Sequence, residues 1–127
     1  MSENKKVSSS GDIKYYNEKG LLHRDSDEPA IVYADGDKYW YKNGELHRDN
    51  DKPAIVRSNG DKLWYQHNLF HRDGDKPALV YGNGTKYWYK NGVKHRDGGK
   101  PAIVRIEKEY WLNGEFMEQK WLNIFKY

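Results

Sequence analysis

"HRDGDKPALV" occupies His71–Val80, and nearly the same phrase returns three times: "HRDSDEPAIV" at His23–Val32, "HRDNDKPAIV" at His47–Val56 and "HRDGGKPAIV" at His95–Val104. The four histidines stand 24 residues apart, as do Pro29, Pro53, Pro77 and Pro101. Trp40, Trp64 and Trp88 keep the same step, and Trp111 follows one residue early. A fixed period at three kinds of marker identifies a tandem repeat. How one unit folds therefore decides how the chain folds.

Within a unit, "PAIV" or "PALV" is a short β-branched run opened by proline, which a strand tolerates at its first position. "ADG", "SNG" and "GNG" follow, and their Asp-Gly or Asn-Gly pairs supply the positive φ angles of a tight hairpin. "KYWY" or "KLWY" comes next, aromatic and strand-favouring. "KNG" then turns the chain again in copies one and three, where copy two has "QHN". Connections this short join antiparallel neighbours. The expected fold is all-β: tandem 24-residue repeats building an elongated antiparallel meander, about two strands per repeat, in a single twisted sheet.

The ends extend the pattern. "IKYYNEKGLL" (Ile13–Leu22) matches the second half of a unit, with Tyr16 falling where Trp40 falls later. Residues 12–115 thus form the repeat domain, a half repeat followed by four repeats. The polar "MSENKKVSSSG" of residues 1–11 reads as a flexible tail with no signal-peptide core. The last copy has "RIEKEYW" (Arg105–Trp111) in place of the glycine turn. Beyond it, Phe116, Met117, Lys120, Trp121, Ile124 and Phe125 recur at mixed three- and four-residue steps. That spacing predicts a short amphipathic C-terminal helix over 116–127, covering the open edge of the sheet.

Composition narrows the function classes. The mean hydropathy of −1.15 is low, yet aromatics reach 15%, with eleven Tyr and five Trp, which separates the chain from disordered sequences. There is no cysteine, so thiolate metal sites and disulfides are excluded. The 22 Lys and Arg are interspersed with 19 Asp and Glu, for a net charge of +3, not the single-sign block of an electrostatic nucleic-acid binder. No run is long enough for a transmembrane helix, and a cytoplasmic protein is expected.

The units "WYKNGELHRDNDKPAIV" and "WYKNGVKHRDGGKPAIV" resemble divergent MORN-type repeats, whose pattern is roughly Trp-Tyr-x-Asn-Gly, His-Arg, Gly-Pro-Ala. The resemblance covers about residues 12–115. It implies stacked β-hairpins acting as a binding or scaffold module, of a kind common in phages, large DNA viruses and bacteria. The glycine before Pro-Ala is Glu28, Lys52, Lys76 and Lys100 in this chain. The glycine spacing of true MORN repeats is also absent, so their proposed lipid-binding role transfers poorly.

His-Arg-Asp also opens the catalytic loop of protein kinases, but the accompanying Asn, glycine loop and Asp-Phe-Gly are missing. His23, Asp25 and Asp27 alternate as a divalent metal set would, as do His47, Asp49, Asp51 and His71, Asp73, Asp75. Gly99 breaks the set in copy four, and an arginine competes for the carboxylates in each. No metal, cofactor or catalytic residue is expected. The favoured reading is a structural ladder of His23, Arg24, Asp25, His47, Arg48, Asp49, His71, Arg72, Asp73, His95, Arg96 and Asp97. In it, each arginine forks onto the first aspartate of a neighbouring unit.

In "KYWYK", strict alternation sets Trp40 opposite Tyr39 and Tyr41. The tryptophans with Val32, Val56, Val80 and Val104 are the expected core. Tyr39, Tyr41, Tyr65, Tyr87 and Tyr89 are expected on the outer face or in a shallow groove, with Arg57 and Arg105, either as a surface for a protein partner or as cross-strand rings that only stabilise the sheet. Lys38, Lys62 and Lys86 beside rings also fit the recipe for single-stranded nucleic-acid binding, which the acids in every unit oppose. The expected function is thus a non-enzymatic protein-binding module. A phage-encoded inhibitor of a host or defence protein, working in the host cytoplasm, fits where the resembling repeats are found. Self-association as a structural repeat protein is the alternative.

Overall fold

The glycine turns set the topology. In each, two backbone N–H groups close the loop and glycine carries the φ that an L side chain avoids. Tyr33 N–H donates to the Asp37 carbonyl at 2.9 Å and Gly36 N–H to the Tyr33 carbonyl at 2.9 Å, with Gly36 at φ +100°. Arg57–Asp61 and Tyr81–Thr85 repeat the pattern. So does Ser8–Asp12, which the expected tail had hidden.

The computed structural model describes residues 4–105 throughout, the backbone of Ile106, and beyond it the backbone of three further strands. In chain order the strands are β1 (Asn4–Val7), β2 (Ile13–Tyr16), β3 (Ile31–Val32), β4 (Lys38–Tyr39), β5 (Tyr41–Lys42), β6 (Glu45–Leu46), β7 (Ile55–Val56), β8 (Lys62–Leu63) and β9 (Tyr65–Gln66). They continue as β10 (Leu69–Phe70), β11 (Leu79–Val80), β12 (Lys86–Tyr87), β13 (Tyr89–Lys90), β14 (Val93–Lys94), β15 (Ile103–Ile106), β16 (Trp111–Leu112), β17 (Glu115–Phe116) and β18 (Asn123–Lys126). Ten of them form one open antiparallel sheet in the order β1-β2-β3-β4-β7-β8-β11-β12-β15-β18. The other eight pair two by two as short hairpins. The chain is an all-β repeat protein. Each repeat adds two strands to the large sheet and sets one hairpin beside it, rather than placing every strand in a single sheet.

Both ends differ from expectation. Residues 4–7 of the supposed tail are β1, paired with β2 from Asn4↔Tyr16 to Val7↔Ile13. The "SSSGD" segment is one more glycine turn, and it lets β1 shield the edge of β2. At the other end, Phe116 closes β17, and Asn123–Lys126 is a strand paired with Ile103–Ile106, not part of a helix. An unpaired β15 edge exposes backbone groups that a strand satisfies and a helix cannot. The rest of the predicted helix, residues 117–122 and 127, lies outside the described residues.

The tryptophans sit where the chain leaves the sheet. Trp40 lies between β4, in the large sheet, and β5, in a hairpin, so alternation does not run through "KYWYK". Trp40, Trp64 and Trp88 are buried, but their expected partners Val32, Val56 and Val80 are only half-buried. The core is instead the opposite face. A register line runs Ile31↔Tyr39↔Ile55↔Leu63↔Leu79↔Tyr87↔Ile103. Its Ile and Leu are 3–6% exposed. Ala30, Ala54 and Ala78, fully buried, precede the strands of this line.

The hairpin turns place two residues at positive φ, as a tight hairpin demands: Asn43 and Gly44 (48° and 86°), His67 and Asn68 (48° and 68°), Asn91 and Gly92 (49° and 80°). Gly44, Asn68 and Gly92 donate backbone N–H to the carbonyls of Leu22, Leu46 and Phe70, one unit earlier. Asn68 stands where glycine stands in the other copies, and its Oδ1 accepts the Leu46 N–H at 2.8 Å. Successive hairpins are thereby stacked alongside the sheet.

Candidate binding surface

Each His-Arg-Asp segment follows a hairpin and leads into the next "PAIV" strand. His23 Nδ1 accepts the backbone N–H of Asn43, His47 that of His67 and His71 that of Asn91, at 2.9, 3.3 and 3.0 Å. That leaves the ring hydrogen on Nε2, which points at the unit's own first acid. The distances are 2.8, 2.7, 2.8 and 2.6 Å for His23–Asp25, His47–Asp49, His71–Asp73 and His95–Asp97.

The first acid is thus held by its own histidine, and the expected arginine forks onto Asp25, Asp49 and Asp73 do not form. Arg48 forks instead onto Asp27 through Nε (2.9 Å) and Nη2 (3.3 Å), Arg72 onto Asp51 and Arg96 onto Asp75, always the second acid of the preceding unit. Ser26 and Asp27, like Asn50 and Asp51, sit at φ between 54° and 64°, and this left-handed pair forms the loop that carries the second acid. Lys52, Lys76 and Lys100 reach the same three aspartates at 2.9 Å.

The four arginines Arg24, Arg48, Arg72 and Arg96 also donate Nη1 to a proline carbonyl of their own unit, at 3.1–3.3 Å from Pro29, Pro53, Pro77 and Pro101. Each lies over a ring: Arg48 on Trp40, Arg72 on Trp64, Arg96 on Trp88 and Arg24 on Tyr15, at 3.7–3.8 Å. Tyr15, not Tyr16, therefore takes the tryptophan place, because the first copy is one residue longer between ring and histidine. Trp40 and Trp64 donate Nε1–H to the carbonyls of Asp27 and Asp51. The buried Trp88 Nε1 has no such acceptor.

The hydrogen bonds from the Arg fork and the Lys hold the carboxyls of Asp27 and Asp51 down at about 2, from an ordinary 3.8, and that of Asp75 lower still. A depressed folded-state value stabilises the fold above the unfolded value and loses that contribution as pH falls through the folded one. Urea midpoints are therefore expected to hold steady down to about pH 5 and then decline toward pH 2. In Asp51→Asn, stability should start lower and fall less over that interval. Parallel declines in both proteins would remove Asp51 from the acid response.

A second ladder, which sequence reasoning missed, runs along the glycine turns. Asp12, Asp37 and Asp61 each accept, through Oδ1, a backbone N–H of the following turn, from Ala34, Ser58 and Gly82 at 2.7–2.8 Å. The Asp recurring after Gly11, Gly36 and Gly60 was its only signal.

The candidate tyrosines gather on the core face of the sheet. Tyr39, Tyr65 and Tyr87 pack against the cluster of Ile55, Leu63 and Leu79, together with Tyr81, Leu46 and Phe70, so these three line the core face and stay half-buried on it. Phe70 stacks on Tyr65 at 4.4 Å and on Tyr89 at 4.8 Å, and Tyr87 lies 6.5 Å from Tyr89. Tyr33 meets Tyr39 edge-on at 5.2 Å, and Tyr81 meets Tyr87 likewise at 5.7 Å. Partial burial pushes the hydroxyls of Tyr33, Tyr41, Tyr65 and Tyr89 above the ordinary 10, which keeps them protonated as donors. Arg57 Nη1 lies 3.5 Å from Asp61 beside Tyr39. Arg105 shares the face of Ile103 by strand alternation. All these rings remain half-exposed.

Lys38, Lys62 and Lys86 do not join them. Their pleat positions point to the opposite face, so these recurring lysines are not interleaved with the tyrosines. Among the described residues no cluster of His, Asp or Glu is arranged to hold a metal ion, and no helix is long and apolar enough to cross a membrane. Comparison of the chain with protein-family models, with curated proteins and with solved structures found no match in any of the three.

Proposed function

We propose that the chain is a non-enzymatic module that binds a protein partner through its tyrosine face. The observation that carries this reading is the run of half-exposed rings, Tyr33, Tyr39, Tyr41, Tyr65, Phe70, Tyr87 and Tyr89, around Arg57 on one side of an open sheet. Tyrosine and arginine are the residues in which binding energy concentrates, because a ring buries area at small entropic cost while its hydroxyl keeps a polar contact. Repeat arrays characteristically present such extended surfaces. The likeness of the units to MORN-type repeats supports a binding role in the same sense. On that analogy the partner is a host or defence protein met by a phage-encoded inhibitor.

The test separates binding from folding. Tyr33 and Tyr41 lie on the face without packing against the Ile55–Leu63–Leu79 cluster, so they can be removed without opening it. An affinity capture from bacterial lysate, with nuclease treatment, should yield one stoichiometric protein. Tyr33→Ala with Tyr41→Ala should then weaken that complex at least tenfold, on the order of two interface contacts, while circular dichroism stays native. Full retention of affinity in the double variant would refute the tyrosine face as the site. Recovery of the bait alone at twice its mass would favour self-association, for which the exposed strand Asn4–Val7 supplies a free edge.

A further inference from the structure

The face opposite the tyrosines carries a second regularity. Cross-strand pairing places Val7, Ile13, Val32, Lys38, Val56, Lys62, Val80, Lys86 and Val104 on one continuous line across the sheet. From Val32 onward, valine and lysine alternate strictly. These four valines, Val32, Val56, Val80 and Val104, are half-buried and the lysines exposed.

These lysines stand apart from others in the repeats. Lys42, Lys52, Lys76, Lys90 and Lys100 each reach a carboxylate within 3.2 Å. Lys38, Lys62 and Lys86 make no ion pair and no side-chain hydrogen bond among the described residues. A cation that recurs once per unit, aligned and unneutralised, while its neighbours are paired, is a charge pattern awaiting its complement.

We infer that this valine–lysine face docks an acidic, amphipathic helix of a partner protein, laid across the strands. Three features select that occupant. The lysines are two strands apart, about 9.6 Å, and equivalent positions one heptad apart on a helix are about 10.5 Å apart. The mismatch of about 1 Å per step lies within the reach of a flexible lysine side chain. The valines between the lysines offer apolar ground for the helix's leucines or isoleucines, which a polyphosphate backbone could not use. Nucleic acid would further need rings to stack upon, and the open rings lie on the other side of the sheet. An extended strand fits less well, since its same-face residues repeat at about 6.8 Å.

The surface is distinct from the tyrosine face, and a chain with both would hold two partners on opposite sides of one sheet.

The test uses the full chain and a fluorescent synthetic peptide of Glu- and Leu-containing heptads. A peptide with Lys for Glu and a single-stranded thymidine oligonucleotide serve as comparisons. Anisotropy titrations should show the acidic peptide binding, with affinity falling as salt rises. Each exposed ion pair is worth about 1.4- to 5-fold, and reversal adds repulsion. Lys38→Glu, Lys62→Glu and Lys86→Glu together should therefore weaken binding at least tenfold, and Tyr33→Ala with Tyr41→Ala should leave it unchanged. The three exposed sites should tolerate reversal. If that variant does not fold by circular dichroism, the triple Lys→Gln variant is read in its place. Failure of the acidic peptide to bind, undiminished affinity in the lysine variant, or tighter lysine-dependent binding of the oligonucleotide would each overturn the inference.

Discussion

Arg72→Ala is expected to lower stability by about 2 kcal/mol, and the thermal midpoint by roughly 5–10 °C. The side chain does three things at once. It forks onto Asp51 of the preceding unit, donates to the Pro77 carbonyl of its own, and lies 3.8 Å over Trp64. Its 16% exposure makes the pairing more than a surface ion pair, although Asp51 at 42% remains screened by water. Arg72→Lys should recover only a minor part, because an ammonium keeps the charge but cannot fork, stack and cap the carbonyl together. A double-mutant cycle with Asp51→Ala isolates the link between units. The site is central, and each unit contacts mainly its neighbours, so the urea dependence should also flatten as the two halves begin to unfold separately. An unchanged midpoint would remove the arginine from the structural ladder.

Ile55→Ala should cost more, about 2–4 kcal/mol. Ile55 is 4% exposed and stands between Tyr39 and Leu63 on the core line, so the deletion leaves a cavity beneath the rings. Val56→Ala, one residue on and pointing the other way, should cost under about 1 kcal/mol, because its half-exposed side chain removes less apolar area. Chemical denaturation of the pair ranks the two faces of the sheet directly. Equal losses would mean that the valine–lysine face is covered as deeply as the tyrosine face.

The period, the glycine turns and the antiparallel meander were readable from the chain because each depends on local chemistry: β-branched runs, Asn-Gly pairs and proline at strand starts. What could not be read depends on where a bend falls. Alternation through "KYWYK" fails because Trp40 marks the exit from the sheet, and this moved the core from the valines to Ile31, Ile55, Leu79 and Ile103. The arginine's partner was misassigned by two residues, since Asp25 and Asp27 look alike until the left-handed pair Ser26–Asp27 forms its loop. Tyr15 was mistaken for its neighbour through a single extra residue in the first hairpin. At the ends, "NKKV" and "NIFK" lack the repeat's markers, and only an open sheet edge makes strands of them.

The strand order also has a mechanical meaning. β1 and β18 occupy opposite edges of the sheet, with every intervening pair antiparallel and joined by bonds that run from strand to strand. A pull applied to these two strands would load those bonds end to end, like the teeth of a zipper, rather than in parallel shear. The sheet should therefore peel open unit by unit at low force, each unit releasing a similar length of chain. Pulled in this way, the chain is expected to lengthen in repeated steps of similar size rather than in one break.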